Sequence, residues 1–167
     1  MRTHWLLVAA ALVSTLTRAD DLPKHKPGLW EIVGTSEHAN GRPQTVKMCT
    51  DDKTQQMFAH IGEQMGKNKC SKRDARSQGN QVITDTVCNI AQSQVTSHTI
   101  MTFESPTSFT IEIHSRFEPA LFGQTESNST HIGKWLGACP ADLKPGEMLS
   151  PNGVKINLSA VLESKSP

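Results

Sequence analysis

The sequence predicts a mainly β protein: an antiparallel meander of six to eight strands, curved into a half-barrel or open barrel, with one α-helix packed against it and two disulfides. Three observations predict this. First, residues 95–117 alternate with a period of two on both sides of Ser105, Pro106 and Thr107. Val95, Ser97, Thr99, Met101 and Phe103 share a face with Phe109, Ile111, Ile113, Ser115 and Phe117, whereas Thr96, His98, Thr102, Thr110, Glu112, His114 and Arg116 share the other. Strand side chains alternate between the two sides of a sheet, so a half-buried hairpin is apolar on one side only. Second, further short alternating runs bounded by turn residues flank this hairpin. They supply the partners it needs, because an isolated hairpin is marginal in water. Third, an export signal precedes four cysteines, and an even count in an oxidising compartment implies two disulfides.

Residues 1–19 read as a signal peptide. Arg2 is the positive flank, residues 5–16 are the apolar core, and Thr17, Arg18 and Ala19 form a small-residue cleavage site. That core is shorter than the roughly 20 residues a membrane-spanning helix needs. No later segment is apolar enough to cross a bilayer, and no cysteine follows the cleavage site to take a lipid. A freely exported protein, periplasmic or secreted, is expected. Cleavage takes 19 of 167 residues and leaves 148, enough for one core. It also removes two of the 17 basic residues, leaving 15 against 16 acidic and a formal charge of −1. No basic block remains to follow a phosphate backbone, so nucleic acid is excluded as a partner.

Residues 20–26, with Pro23, read as a surface leader, residues 27–163 as one disulfide-bonded β domain, and residues 164–167 as a tail. The first strand is expected over residues 29–36, with Trp30 as a core anchor. Asn40 and Gly41 signal a hairpin into a second strand, residues 44–49, with Val46 and Met48 inward. Thr50 then suits an N-cap, Asp51 and Asp52 suit the positive end of a helix, and Met57, Phe58, Ile61 and Met65 recur at helical spacing. A helix over residues 51–65, closed by Gly66 and Asn68, is expected to lie on the apolar face of the sheet.

Residues 70–76 and 81–90 form the next hairpin, turning through residues 77–80. A tight turn places Cys70 nearly opposite Cys88, within bridging reach, and leaves Cys49 for Cys139. A slip of one residue would send the sulfurs to opposite faces. Residues 119–123 read as a loop and residues 125–138 as a long strand, whose polar stretch Ser127, Asn128, Ser129 and Thr130 is expected to face solvent. After the turn-rich Pro145, Gly146 and Pro151, Asn152, Gly153, the alternation of Val154, Ile156, Leu158, Ala160 and Leu162 reads as an added edge strand.

Catalytic motifs are absent. There is no GxSxG elbow, HExxH pair or glycine-rich phosphate loop, and four paired cysteines leave no thiol nucleophile. The wide cysteine spacings also argue against zinc held by thiolates. On the polar face of the central hairpin, His98 falls opposite His114, with Glu112 on the same side. His98, His114 and Glu112 are the candidate ligands for zinc or copper, against the commoner reading of polar pairs on a solvated face. No cofactor is expected. The leading function is a non-catalytic binding module for an unknown protein or envelope component. A carrier of a small hydrophobic ligand is the alternative, and an enzyme or metal-binding protein using the His98, His114 and Glu112 face is the third.

Pro27, Gly28, Leu29, Trp30 and Glu31, then Cys49 and Thr50 before an acidic helix start, then the Cys70 and Cys88 hairpin, then Gly133, Lys134, Trp135, Leu136, Gly137, Ala138 and Cys139 followed by Pro145 and Gly146, make a set. It resembles an uncharacterised family of exported Gram-negative bacterial proteins, a domain of unknown function, over about residues 27–147. The longer tail after Gly146 departs from that pattern. The resemblance implies periplasmic export and a disulfide-bonded β fold, and it carries no catalytic residue.

Overall fold

The structure, a computed structural model, describes residues 25–37, 41–57 and 69–158. The signal peptide and most of the leader lie outside the described residues, as do Phe58, Ile61 and Met65 and the tail beyond Leu158. The described chain forms one antiparallel sheet of nine strands: β1 (Gly28–Ser36), β2 (Gln44–Thr50), β3 (Cys70–Gln78), β4 (Gln81–Ile90), β5 (Ser93–Ser105), β6 (Ser108–Leu121), β7 (Gln124–Gly137), β8 (Glu147–Leu149) and β9 (Lys155–Asn157). Their order is β3-β4-β5-β6-β7-β1-β2-β8-β9, an open sheet with β3 and β9 as edges. A mainly β antiparallel fold with two disulfides is therefore as expected. The ninth strand arises because the tail makes a small hairpin, β8 and β9, beside β2.

The meander runs from β3 to β7, and the first hairpin then closes on its far side, β1 pairing with β7. That pairing joins the first and last of the segments that carry the family resemblance. Leu29 stands opposite Gly137 and Trp30 opposite Trp135, with a bulge between them. Gly28 has a φ of 136°, and a β-carbon there would overlap the Gly137 carbonyl and the Trp135 indole nitrogen. Only glycine fits that approach. The Trp135 indole N–H donates to the Pro27 carbonyl at 2.9 Å, which ties the start of β1 to the end of β7.

On the apolar face the core is aromatic. Trp30, Phe103 and Phe109 are buried. His25 stacks on Phe109, with ring centroids 4.8 Å apart and an interplanar angle of 6°. It also meets Trp30 at 5.1 Å and Phe103 at 5.0 Å. Phe109 lies over Gly133 of the neighbouring strand, where any β-carbon would overlap the phenyl ring. Of the expected surface leader, His25 thus packs against the core, while Lys26 beside it stays exposed and anchors the chain. Lys26 donates its backbone N–H to the Pro106 carbonyl (3.1 Å), accepts from the Trp30 indole at its own carbonyl (2.9 Å), and sets its ammonium 3.8 Å over the Trp135 ring. Composition hid this, since a histidine and a lysine beside prolines read as polar.

Other expectations are corrected. The helix begins at Asp52, and its described part is residues 52–57. Its cap is Asp51 and not Thr50: Asp51 Oδ1 accepts the Thr54 N–H at 2.7 Å and also meets the Thr54 hydroxyl, while Thr50 ends β2 with its hydroxyl buried. The turn between β3 and β4 is two residues, Gly79 and Asn80, since Gln78 pairs with Gln81. A one-residue bulge at Ser71 then brings Cys70 opposite Cys88, and the disulfide forms. Cys49 bonds Cys139 and is wholly buried, joining β2 to the chain after β7. Residues 119–121, expected as loop, extend β6, and the turn is Phe122 and Gly123. β9 stops at Asn157, so the edge strand is shorter than the alternation suggested.

Two predictions follow from this core. Gly133→Ala, which drives a methyl into the Phe109 ring, should lower unfolding free energy by roughly 1–3 kcal/mol, the usual cost of overpacking, read from the urea midpoint. Burial holds the His25 imidazole below its ordinary value of 6.5. The unfolded chain then binds the extra proton first as pH falls below 6.5, so His25 contributes a loss of stability on acidification and nothing above that range. His25→Phe should flatten that part of the stability profile relative to the parent, as seen in urea melts between pH 7.5 and 5.

Candidate functional site

Register decides what the other face presents. In an antiparallel sheet directly opposed residues share a face, with strands about 4.8 Å apart, so one polar residue per strand at the same level makes a row across the sheet. Asp85 of β4 stands opposite His98 of β5, His98 opposite His114 of β6, and His114 opposite Asn128 of β7. Beyond the end of β1, Glu37 meets the Asn128 amide. The His98 and His114 pairing is the one the central hairpin predicted. Its flanking partners were not anticipated.

The row is hydrogen-bonded along its length. His98 Nδ1 lies 2.6 Å from Asp85 Oδ1, and Arg76 Nη1 donates to Asp85 Oδ2 at 2.7 Å. The hydrogen bonds from His98 and then Arg76 hold the Asp85 carboxyl well below its ordinary range, at about 2. An ionised carboxylate only accepts, so His98 Nδ1 carries the proton. At the other end, Asn128 Nδ2 donates to Glu37 Oε2 at 3.1 Å. The Asn128 carbonyl oxygen is thereby turned toward His114 Nδ1, 2.6 Å away, and Nδ1 is again the donor. When neutral, an imidazole that donates from Nδ1 keeps an Nε2 lone pair, and among the described residues neither Nε2 has a protein partner.

Two concavities open over this row and share both imidazoles. The larger, about 520 Å³, is lined by Thr35, Ile100, Glu112, Asn128 and Thr130 together with His98 and His114. The smaller, about 330 Å³, lies over Val87 and Thr96 between Lys72 and Arg116. Together they form a groove running along the strands. Ser127, Asn128, Ser129 and Thr130, expected to face solvent, are half-buried, and three of them line it.

The three expected metal ligands share this face but are not drawn together. Glu112 stands opposite Ile100, one row away from the imidazoles. Among the described residues no three His, Cys, Asp or Glu side chains gather in a way that could hold a metal ion. Nor does any hydroxyl bond to either imidazole among the described residues, so a nucleophile and base pair is not assembled. Asp85 and Asn128 were missed for separate reasons. The turn between β4 and β5, Ala91 and Gln92, went unread, which left the level of Asp85 beside His98 open, and Asn128 sat in a run taken as plain solvent-facing polarity.

Residues 25–139 match the model of a family described as a protein of unknown function, DUF3617. The match begins at the histidine that stacks in the aromatic core and ends at the cysteine that closes the Cys49 bridge. No curated protein matches the chain.

The row makes its own predictions. The Asp85 carboxyl should titrate near 2 in a carbon-detected NMR series. Its depressed value means that the stability it contributes is present above the ordinary value of 3.8 and is lost as pH falls toward 2. Asp85→Asn should lack that acid-range loss. Nitrogen NMR should find both His98 and His114 as the Nδ1–H tautomer, with His98 alone reverting toward Nε2–H in Asp85→Asn.

Proposed function

The chain belongs to the DUF3617 family, which carries no activity to transfer, and from its geometry we propose an exported, non-catalytic binding module that takes a polar ligand in the groove of its polar face. The ligand is a small molecule or the polar part of an envelope component. The observation that carries this reading is the pair of oriented imidazoles. Asp85 and Asn128 fix both rings at Nδ1 and leave both Nε2 atoms as acceptors at the floor of a groove walled by hydroxyls, an amide and carboxylates. Preorganised polar groups in a concavity are what ligand sites are built from. Export is supported by the two disulfides and by the charge, core and cleavage pattern of residues 1–19.

The same orientation favours a second reading. Histidines that ligate metals have their other ring nitrogen held by a carboxylate or amide oxygen, as Asp85 holds His98 and Asn128 holds His114. Glu112 would then have to turn toward them to complete a zinc or copper site. The hydrophobic-carrier alternative draws no support from this lining, because the apolar face is filled by the protein's own aromatic side chains.

Native mass spectrometry of protein purified from the periplasm without detergent tests the proposal. The mature chain should begin at Asp20, be four hydrogens lighter than the reduced polypeptide, and carry a polar small molecule that a His98→Ala, His114→Ala variant releases. Retention of an apolar lipid, or equal retention by the variant, would overturn the groove reading, and a stoichiometric metal would favour the second one.

A further inference from the structure

Resting on the groove as a ligand site, we propose that its smaller concavity is an anion subsite, which takes the phosphate or carboxylate group of the bound ligand. Four strands contribute one residue each at a single level: Lys72 of β3, Val87 of β4, Thr96 of β5 and Arg116 of β6. Lys72 and Arg116 therefore stand three strand spacings apart, about 14 Å between backbones, on either side of a floor made of two short side chains. Both are long enough to lean inward over that floor. They line the same hollow of about 330 Å³.

Charge is left over there. Among the described residues neither Lys72 nor Arg116 forms an ion pair, although Glu126 stands opposite Arg116 on β7. The one carboxylate lining the hollow, Asp85, is already engaged by Arg76 and His98. A guanidinium and an ammonium with no ion-pair partner among the described residues, facing each other across a concavity, favour an anion through charge-assisted hydrogen bonds. The Thr96 hydroxyl beneath them is a further donor. One level along the strands, His98 and His114 border the same hollow, so an anion held here sits beside the imidazole row. The other concavity is lined by Glu37 and Glu112 in place of cations. The groove is thus charge-polarised along its length, which sets the direction in which a ligand with an anionic end lies.

Titration of the isotope-labelled mature protein with inorganic phosphate at pH 7.5, at constant ionic strength against chloride, tests this. Saturable amide shifts are expected at Val87, Thr96, His98 and Arg116, with apparent affinity at least tenfold weaker in Arg116→Gln and in Lys72→Gln. Lys144→Gln should leave affinity unchanged, and Glu126→Gln should raise it two- to threefold. The amide spectrum of each variant away from the substitution reports that it remains folded. Shifts that do not saturate, that chloride reproduces, or that persist in Arg116→Gln would overturn the subsite. Those results in a protein that still retains a groove ligand from the periplasm would overturn the subsite alone. A saturable, Arg116-dependent response in a protein that retains no such ligand would support the subsite while removing the groove reading.

Discussion

The contact on which the rest of this structure depends is the Phe109 ring lying over Gly133. A strand glycine costs stability by itself, yet here the missing side chain lets an aromatic ring drop onto the sheet. Phe109 in that position gives His25 a surface to stack on, and His25 brings the chain preceding β1 across the apolar face. The strap so formed is held at its backbone by Pro106, Trp30 and Trp135. The first and last segments that carry the family resemblance meet at this point as neighbouring strands β1 and β7. Their glycines and tryptophans are therefore one packing unit divided between the two ends of the matched region.

Filling one face with aromatic rings leaves the other free. Because the pleat alternates sides, the register that puts Phe103 opposite Phe109 inside also puts His98 opposite His114 outside, on the same two strands. The groove is thus a consequence of the core, carried mainly by long, paired strands. Its imidazoles are held by hydrogen bonds from one strand to the next, which fixes where their free nitrogens lie before any ligand arrives. Preorganisation of that kind reduces the cost of binding.

Much of this was legible in the sequence wherever a strong period met a short turn. The central hairpin and its facing histidines rest on alternation plus a nearby reversal, which settles register locally, and the Cys70 to Cys88 bridge was legible from the similar distance of both cysteines to one turn, although the bulge at Ser71 is what opposes them. What escaped depended on distant pairing or on a single geometric detail. The place of β1 beside β7 joins residues about 100 apart, and no local pattern reports it. The bulge at Ser71 is one residue in a run of exposed polar side chains. His25 carries no periodic signal at all, and its burial follows from a ring that is 84 residues away in the chain.

In the proposed reading the two faces divide the work, the aromatic side supplying stability and the polar row supplying recognition. The most direct measurement is the unfolding free energy of His98→Thr, His114→Thr beside that of Phe109→Ala, each from urea titration at pH 7.5. The half-buried histidine pair should change it by no more than about 1 kcal/mol, the range of solvated polar pairs. A loss of about 3–5 kcal/mol is expected for the phenylalanine, as for other buried aromatic truncations. A histidine variant that loses as much as the phenylalanine variant would make the row part of the scaffold and contradict the account.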